Sequence, residues 1–190
     1  MHNSQALDTP QDAVLQQVSQ EPALLGMPTD TDGAALHNLI RSSAFLDDNS
    51  LYCYLLLCTH FAETSVVARL EGKVAAVVTA YVPPQQPDTL FIWQVAVAKI
   101  AQRRGLAKTM IHEILGREAL ANVRWIETTV TRDNKASRAL FNALARDLGC
   151  ELTESMMFDR KKHFRNLHDS EYQLKIGPFK PAHQGAGRTA

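Results

Sequence analysis

The 190-residue sequence lacks the features that mark membrane, secreted and metal-stapled proteins. No apolar run approaches the ~20 residues that a membrane-spanning helix needs. The N-terminus has no charged segment followed by an apolar one, so no secretory signal is expected. Cysteine is scarce, and Cys53, Cys58 and Cys150 form no Cys-x-x-Cys pair. We therefore expect buried thiols in a reducing compartment, no metal site and no membrane partner.

The charge balance excludes a second group of functions. Lysine plus arginine and aspartate plus glutamate each number 20, so the formal net charge is zero. Without a basic excess or a polybasic cluster, we expect no nucleic-acid partner. The length suits one domain with a sizeable core. We predict a single domain over residues 21–180, with a polar, flexible extension at 1–20 and a flexible tail at 181–190.

The most informative stretch covers residues 89–119. Thr89–Val97 is a nearly continuous apolar run of strand length, interrupted by Gln94. The short basic segment Gln102–Ala107 follows it. After that segment, apolar residues recur at helical spacing in two adjacent rows, Leu106, Met110 and Ile114 beside Ala107, Ile111 and Leu115. The pattern therefore predicts a strand, a glycine-containing turn and a helix.

Such a turn can bind a phosphate group. The first N–H groups of a helix have no partner within the helix, and the helix dipole adds positive charge there. Gly105 lets the backbone approach a ligand closely, and Arg103 and Arg104 add cations. Neither a Gly-Lys-Ser/Thr sequence nor the three-glycine dinucleotide pattern is present. The motif alone is also compatible with a plain loop carrying two solvated arginines.

Hydrophobic periodicity predicts further strands and helices in mixed order. They are a strand at 23–27, helices at 35–40 and 51–61, a hairpin of strands 65–70 and 73–82, a strand at 124–130, a helix from Asn134 to Gly149, and weaker strands at 156–158 and 173–176. The helix at 51–61 is apolar nearly all round, so we expect it to be buried on more than one side. Hairpins and crossovers together predict an α/β (α+β) sandwich with a mixed central sheet flanked by helices.

Gln-x-x-Gly-x-Ala at 102–107 resembles the acyl-CoA pyrophosphate loop of the Gcn5-related N-acetyltransferase (GNAT) family. The predicted element order is also similar to the fold of that family, whose members use acetyl-CoA as co-substrate. The resemblance implies that a backbone N–H at or near Val95 binds the thioester carbonyl oxygen, that the strands splay beyond Val97, and that Asn134 contacts the pantetheine arm. The residues it implies for acetyl-CoA binding are Val95, Val97, Gln102, Arg103, Arg104, Gly105, Leu106, Ala107, Asn134 and Phe141.

Five longer blocks resemble one subgroup of that family, which acetylates the 4-amino group of L-2,4-diaminobutyrate in ectoine synthesis. The blocks lie at 46–61, 90–97, 127–141, 168–171 and 175–178. The resemblance implies direct attack of the amine on the thioester, and a cytoplasmic homodimer that serves osmoprotection. It also implies that Asp47, Tyr52, Trp93, His168 and Glu171 bind the substrate. The same resemblance implies catalytic roles for Asp47, Trp93 and Val95.

Structural explanations compete with several of these roles. Tyr52 and Trp93 are equally compatible with core packing. Asp48, Asn49 or Ser50 can cap the helix at 51–61, and Asn134 can cap the later helix while also binding a ligand. We expect Glu127 to be a solvated edge-strand carboxylate rather than a base acting through water.

Two alternative functions stay open at this point. One keeps the fold but acetylates another diamino acid, an aminoglycoside or a protein amine. The other is a non-catalytic acyl-CoA sensor. Its support is Phe141, which stands where many family members carry a tyrosine that protonates the leaving thiolate; Tyr81 and Tyr172 are unassigned replacements for that tyrosine.

Overall fold

The structure, a computed structural model, describes residues 22–43 and 46–180. Within them the strands are β1 (Leu24–Gly26), β2 (Val66–Leu70), β3 (Lys73–Tyr81), β4 (Thr89–Val97), β5 (Trp125–Val130), β6 (Leu152–Phe158) and β7 (Glu171–Ile176). The α-helices are α1 (Gly33–Arg41), α2 (Leu51–His60), α3 (Leu106–Leu115) and α4 (Lys135–Asp147). The predicted order of strands and helices is confirmed. The extension predicted at 1–20 and the tail at 181–190 lie outside the described residues.

The seven strands form one sheet in the order β1-β2-β3-β4-β5-β7-β6. Neighbouring strands are antiparallel except β4 and β5, which are parallel and pair only over Thr89–Phe91 and Trp125–Glu127. Beyond those residues the two strands separate and leave a gap in the sheet. The expectation that the splay lies beyond Val97 is therefore wrong, because the strands part directly after Phe91.

A β-bulge in β4 accompanies this early separation. Gln94 pairs with Thr79, whereas Ile92 pairs with Ala80, so Trp93 is an extra residue on β4. A bulge bends its strand and reverses the faces on which the following side chains lie. Ile92 and Val95 consequently pack in the same core, and Gln94 turns to the opposite face of the sheet.

Two apolar cores cover the two faces of the sheet. The larger lies under α3 and α4, and the smaller lies under α1 and α2. In α2 one row, Tyr54, Leu57 and Cys58, is buried, but Leu51 and Tyr52 at its start are exposed. The expectation that α2 is buried on more than one side is thus wrong for Leu51 and Tyr52, which are exposed at its start.

The three cysteines are free thiols. Only Cys58 is buried, and burial together with the charges of Asp32 and Asp30 raises its pKa to about 11. Cys53 and Cys150 are half-buried, so the prediction of buried thiols is confirmed for Cys58 alone. Among residues 22–43 and 46–180, no group of three or more histidine, cysteine, aspartate or glutamate side chains could hold a metal ion. No helix in these ranges is long and apolar enough to cross a lipid bilayer.

An ion pair joins the turn before α1 to β2, and its loss should destabilise the protein. Arg69 Nη2 lies 2.7 and 2.6 Å from the two carboxylate oxygens of the buried Asp32. Arg69→Leu would leave that carboxylate without its cation, so we expect a loss of about 2–4 kcal/mol in the free energy of unfolding. Urea denaturation measures this loss. Arg160→Leu is the control, because its pair with Asp169 is exposed and should contribute less than ~1 kcal/mol; equal losses would contradict the assignment.

Candidate active site

A cavity occupies the gap between β4 and β5. Its walls come from the segment before α2, the middle of β4, the end of β5, the start of α4 and the start of β7. Seven residues predicted for the site line it: Asp47, Trp93, Val95, Asn134, Phe141, His168 and Glu171. These residues are far apart in the sequence, and the parting of two parallel strands brings them together.

Two carboxylates and one imidazole lie close together in the wall of the cavity. His168 Nε2 lies 3.4 Å from Asp47 Oδ2 and 3.8 Å from Glu171 Oε1. His168 Nδ1 lies 2.7 Å from the backbone carbonyl of Asp169, so it carries a hydrogen in this contact because the carbonyl can only accept. The resulting cluster has more acidic groups than basic ones and suits a cationic ligand.

Glu171 has a pKa that its surroundings raise. Burial raises the pKa of Glu171 above the usual 4.5, and the nearby carboxylate of Asp47 raises it further, while the charge of His168 and a hydrogen bond with Thr129 act in the opposite direction. Its Oε2 atom is buried, and none of the described residues donates a hydrogen bond to it. A buried acceptor without a donor is costly. An ammonium group bound in the cavity would supply that donor.

The backbone of β4 directs a hydrogen-bond donor into the gap. The N–H of Gln94 donates to Thr79 Oγ1 on β3 over 3.2 Å. Successive N–H groups of an extended strand point to opposite sides, so the N–H of Val95 points away from β3 and toward the gap. Val95 is therefore placed to bind a carbonyl oxygen between the two strands.

The two aromatic residues predicted to bind substrate are in different places. Trp93, the bulge residue, lines the cavity and is 40% exposed. Tyr52 lies outside the cavity wall and is 67% exposed. The core-packing alternative is wrong for both, since neither side chain is buried.

A second groove lies at the N-terminus of α3. Its lining includes six residues predicted for acetyl-CoA binding, which are Val97, Gln102, Arg103, Gly105, Leu106 and Ala107. Lys108, which was not predicted, also lines the groove. Gly105 has φ +69, a conformation that favours glycine, and no side chain caps the helix. The Gln102 side-chain amide donates to the Val97 carbonyl over 3.1 Å, which fixes the turn against the end of β4. Arg104 is half-buried and does not line this groove.

Asn134 and Phe141 form the α4 side of the cavity. The Asn134 side-chain oxygen accepts a hydrogen bond of 3.0 Å from the N–H of Ser137, so the prediction that it caps the helix is confirmed. Its amide nitrogen is a separate donor that the cap does not use. Phe141 is buried and offers no proton to a leaving group. Tyr81 and Tyr172 are absent from the residues that line the cavity.

Glu127 differs from its expected role. It is 3% exposed on β5, an interior strand, so the expectation of a solvated edge-strand carboxylate is wrong. Gln173 Nε2 donates to one of its oxygens and Lys175 Nζ lies by the other, each at 2.8 Å. These partners compensate the buried charge of Glu127 and explain why it can lie inside the sheet.

Sequence reasoning missed several residues of the cavity wall. They are Leu46, Gln94, Thr128, Thr129, Val130, Thr131 and Ser137. One signal was available, because Gln94 interrupts an otherwise apolar strand and a buried amide needs partners. The residues 128–131 gave no signal, since their exposure to the cavity depends on where β4 and β5 part.

Comparisons with known proteins agree with this geometry. The model of the acetyltransferase (GNAT) family matches residues 34–145. An L-2,4-diaminobutyric acid acetyltransferase of Methylotuvimicrobium alcaliphilum is 46% identical over 82% of this chain and 91% of its own length. The enzyme of that name from Vibrio cholerae is 42% identical over 84% and 94%.

Solved structures extend the likeness to three dimensions. The diaminobutyrate acetyltransferase EctA of Paenibacillus lautus, in complex with L-2,4-diaminobutyric acid and coenzyme A, superimposes with a TM-score of 0.80 at 37% identity, covering 83% of this chain and 96% of that one. Ard1 of Thermoplasma volcanium, at 16% identity, has a TM-score of 0.65 over 82% and 97% of the two chains and shares the fold alone. The chain therefore belongs to the acetyltransferase (GNAT) family, and in sequence it stands with the L-2,4-diaminobutyric acid acetyltransferases of that family.

Proposed function

We propose that the protein transfers the acetyl group of acetyl-CoA to the 4-amino group of L-2,4-diaminobutyrate, a step of ectoine synthesis. One observation carries the proposal: the cavity between β4 and β5 joins an acidic cluster of Asp47, His168 and Glu171 to the inward N–H of Val95. The relatives named for the same substrate support it, as does the EctA structure that contains this substrate.

The groove at α3 fits the diphosphate of acetyl-CoA, which would supply its acetyl group as a thioester. The first N–H groups of α3 have no side-chain cap, and the groove wall includes Arg103 and Lys108. An anion at this position gains from both the free N–H groups and the helix dipole. Asn134, in the wall of the cavity between β4 and β5, would contact the pantetheine arm through its amide nitrogen.

The acceptor is a molecule with two ammonium groups and one carboxylate at neutral pH, because primary amines have pKa values near ~10. The negative charges of Asp47 and Glu171 complement the two ammonium groups. The reacting ammonium group has to lose a proton before its nitrogen can attack. The N–H of Val95 would stabilise negative charge on the carbonyl oxygen. Phe141 cannot protonate the departing CoA thiolate. Because the pKa of a thiol lies near ~8.5, releasing CoA as the thiolate at pH 7 costs only about 2 kcal/mol relative to the thiol.

Asp47→Ala should impair recognition of the diamine. Loss of a charged hydrogen-bond partner costs about 1.5–3 kcal/mol, so we expect kcat/KM for diaminobutyrate to fall roughly 10- to 100-fold while acetyl-CoA binding is retained. Steady-state kinetics with each substrate varied separately measures the effect. Asp48→Ala is the matched control, because Asp48 contacts His37 and Arg41 on α1 rather than the cavity. Equal losses in the two variants would remove Asp47 from the site.

Thiol release from acetyl-CoA with a panel of amines tests the proposed substrate. We expect 2,4-diaminobutyrate to react much faster than ornithine or 2,3-diaminopropionate, since the two ammonium groups must reach fixed acceptors. A faster reaction with another amine would support the alternative of a different acceptor. Tight CoA binding without thiol release from any amine would support the sensor, which Phe141 alone favours.

We further propose that residues 21–180 act as one domain and that the protein is a cytoplasmic homodimer. The edge strand β6 exposes Met156, Met157 and Phe158, an apolar surface that self-association would cover. Light scattering after size exclusion should give twice the chain mass, and a monomer at all concentrations would contradict the dimer.

A further inference from the structure

Gln94 is buried beside the cavity and holds the segment that carries Asp47. Its Nε2 donates a hydrogen bond of 3.0 Å to the backbone carbonyl of Asp47, which ties the irregular segment before α2 to β4. Because a carbonyl only accepts, the amide cannot be turned over, and Oε1 must face away from that contact. Oε1 is buried, and no residue of 22–43 or 46–180 donates a hydrogen bond to it.

This arrangement is unfavourable for a residue that serves stability alone. A methionine would fill a similar volume without a buried unpaired acceptor, at the cost of the one hydrogen bond to Asp47. A buried amide that satisfies only one of its two ends therefore needs another explanation. The hydrogen bond from Gln94 to the Asp47 backbone suggests that explanation, because Asp47 lines the cavity.

We propose that Gln94 is a positioning residue for the diamine, and this inference rests on the proposed function. The Asp47 side chain is 79% exposed, and the neighbouring residue Asp48 contacts α1 rather than the sheet. The hydrogen bond from the Gln94 amide fixes the position of the Asp47 backbone relative to β4. It thereby fixes the distance from the Asp47 carboxylate to His168 and to the acetyl position beside Val95.

Gln94→Met tests the proposal, because it keeps the chain length and removes both hydrogen-bonding ends. We expect KM for diaminobutyrate to rise about tenfold, the equivalent of one lost hydrogen bond. KM for acetyl-CoA should change less than about twofold, and the melting temperature should change little, since loss of the hydrogen bond to Asp47 is offset by removal of a buried acceptor. A variant that fails to fold, one that leaves KM for diaminobutyrate unchanged, or one that raises both KM values together would assign Gln94 a purely structural role and overturn the proposal.

Gln173→Met is the matched control from a nearby strand. The Gln173 amide donates to the buried Glu127 and accepts from Ser155 Oγ, so both of its ends are paired. We expect the opposite pattern, a lower melting temperature with an unchanged KM for diaminobutyrate. The same pattern in both glutamine variants would contradict a special role for Gln94.

A double-mutant cycle separates positioning from direct effects. If Gln94 acts through Asp47, Gln94→Met should not raise KM for diaminobutyrate further in an Asp47→Ala background. Independent, additive effects would overturn the inference while leaving the proposed function intact. Absence of diaminobutyrate acetylation by the wild-type protein would instead overturn the proposed function itself, so the two failures are distinguishable.

Discussion

Val95→Pro is expected to lower kcat about 10²- to 10³-fold, the usual effect of removing one donor from an oxyanion site. Proline has no N–H, and the N–H of Val95 points into the gap rather than toward β3. The pairing of β3 with β4 should therefore lose no hydrogen bond at this position. Acetyl-CoA binding, measured by calorimetry, should be much less affected than kcat, because the donor acts on charge that develops during the reaction.

Val95→Ala is the matched control, since it shortens the side chain and keeps the N–H. We expect its kcat to stay within about threefold of the wild-type value. If the proline variant folds poorly, replacement of the same N–H by an ester oxygen removes the donor without a ring. Wild-type kcat in either folded variant would show that Val95 does not stabilise the oxyanion.

Glu171→Gln is expected to lower kcat/KM for diaminobutyrate by about 10²-fold, because a neutral amide replaces a charged acceptor in a partly buried site. The raised pKa of Glu171 adds a signature in pH. In the wild type an acid limb of kcat/KM should lie above pH 4.5, where the carboxylate becomes protonated, and this limb should be absent in the variant. Persistence of the same limb in Glu171→Gln would assign it to another group.

Although Glu171→Gln should lower activity, it should raise the stability of the folded protein at neutral pH. A carboxyl whose pKa is raised by folding favours the folded state below the unfolded pKa, and this contribution is lost as pH rises through the folded pKa. The ionised Glu171 thus opposes folding at neutral pH, largely because it is half-buried with Oε2 unpaired. Glu171→Gln should melt higher than wild type at pH 7 and nearly equally below pH 4. A variant that melts lower at pH 7 would mean that the ionised carboxylate is stabilising.

Most of the fold was predictable because local signals and global topology agree. Apolar runs, helical spacing and turn residues predicted each strand and α-helix of the described residues. Glu71 and Gly72 do form the tight turn between β2 and β3, with positive φ at both residues. The sequence could not show where β4 and β5 part. That position depends on an extra residue at Trp93, which looks like any other residue of an apolar strand.

The sequence predicted which residues belong to the candidate site, but not how they are arranged in space. Resemblance supplied Asp47, His168 and Glu171, which the structure brings within 4 Å of one another through His168. It could not show that Tyr52 lies outside the cavity, or that Glu127 is buried and paired, since burial depends on which strands become neighbours. Gln94 was visible as a polar interruption, yet its contact with Asp47 spans distant parts of the chain.

The central claim is that the acetyl group goes to the 4-amino group of diaminobutyrate. NMR of the product formed from acetyl-CoA and L-2,4-diaminobutyrate tests it most directly. We predict a single product, with the protons on the 4-carbon shifted by acylation and those on the 2-carbon keeping the shift of a free ammonium neighbour. Acetylation at the 2-amino group, or no acetylated product under conditions where the protein binds CoA, would contradict the account.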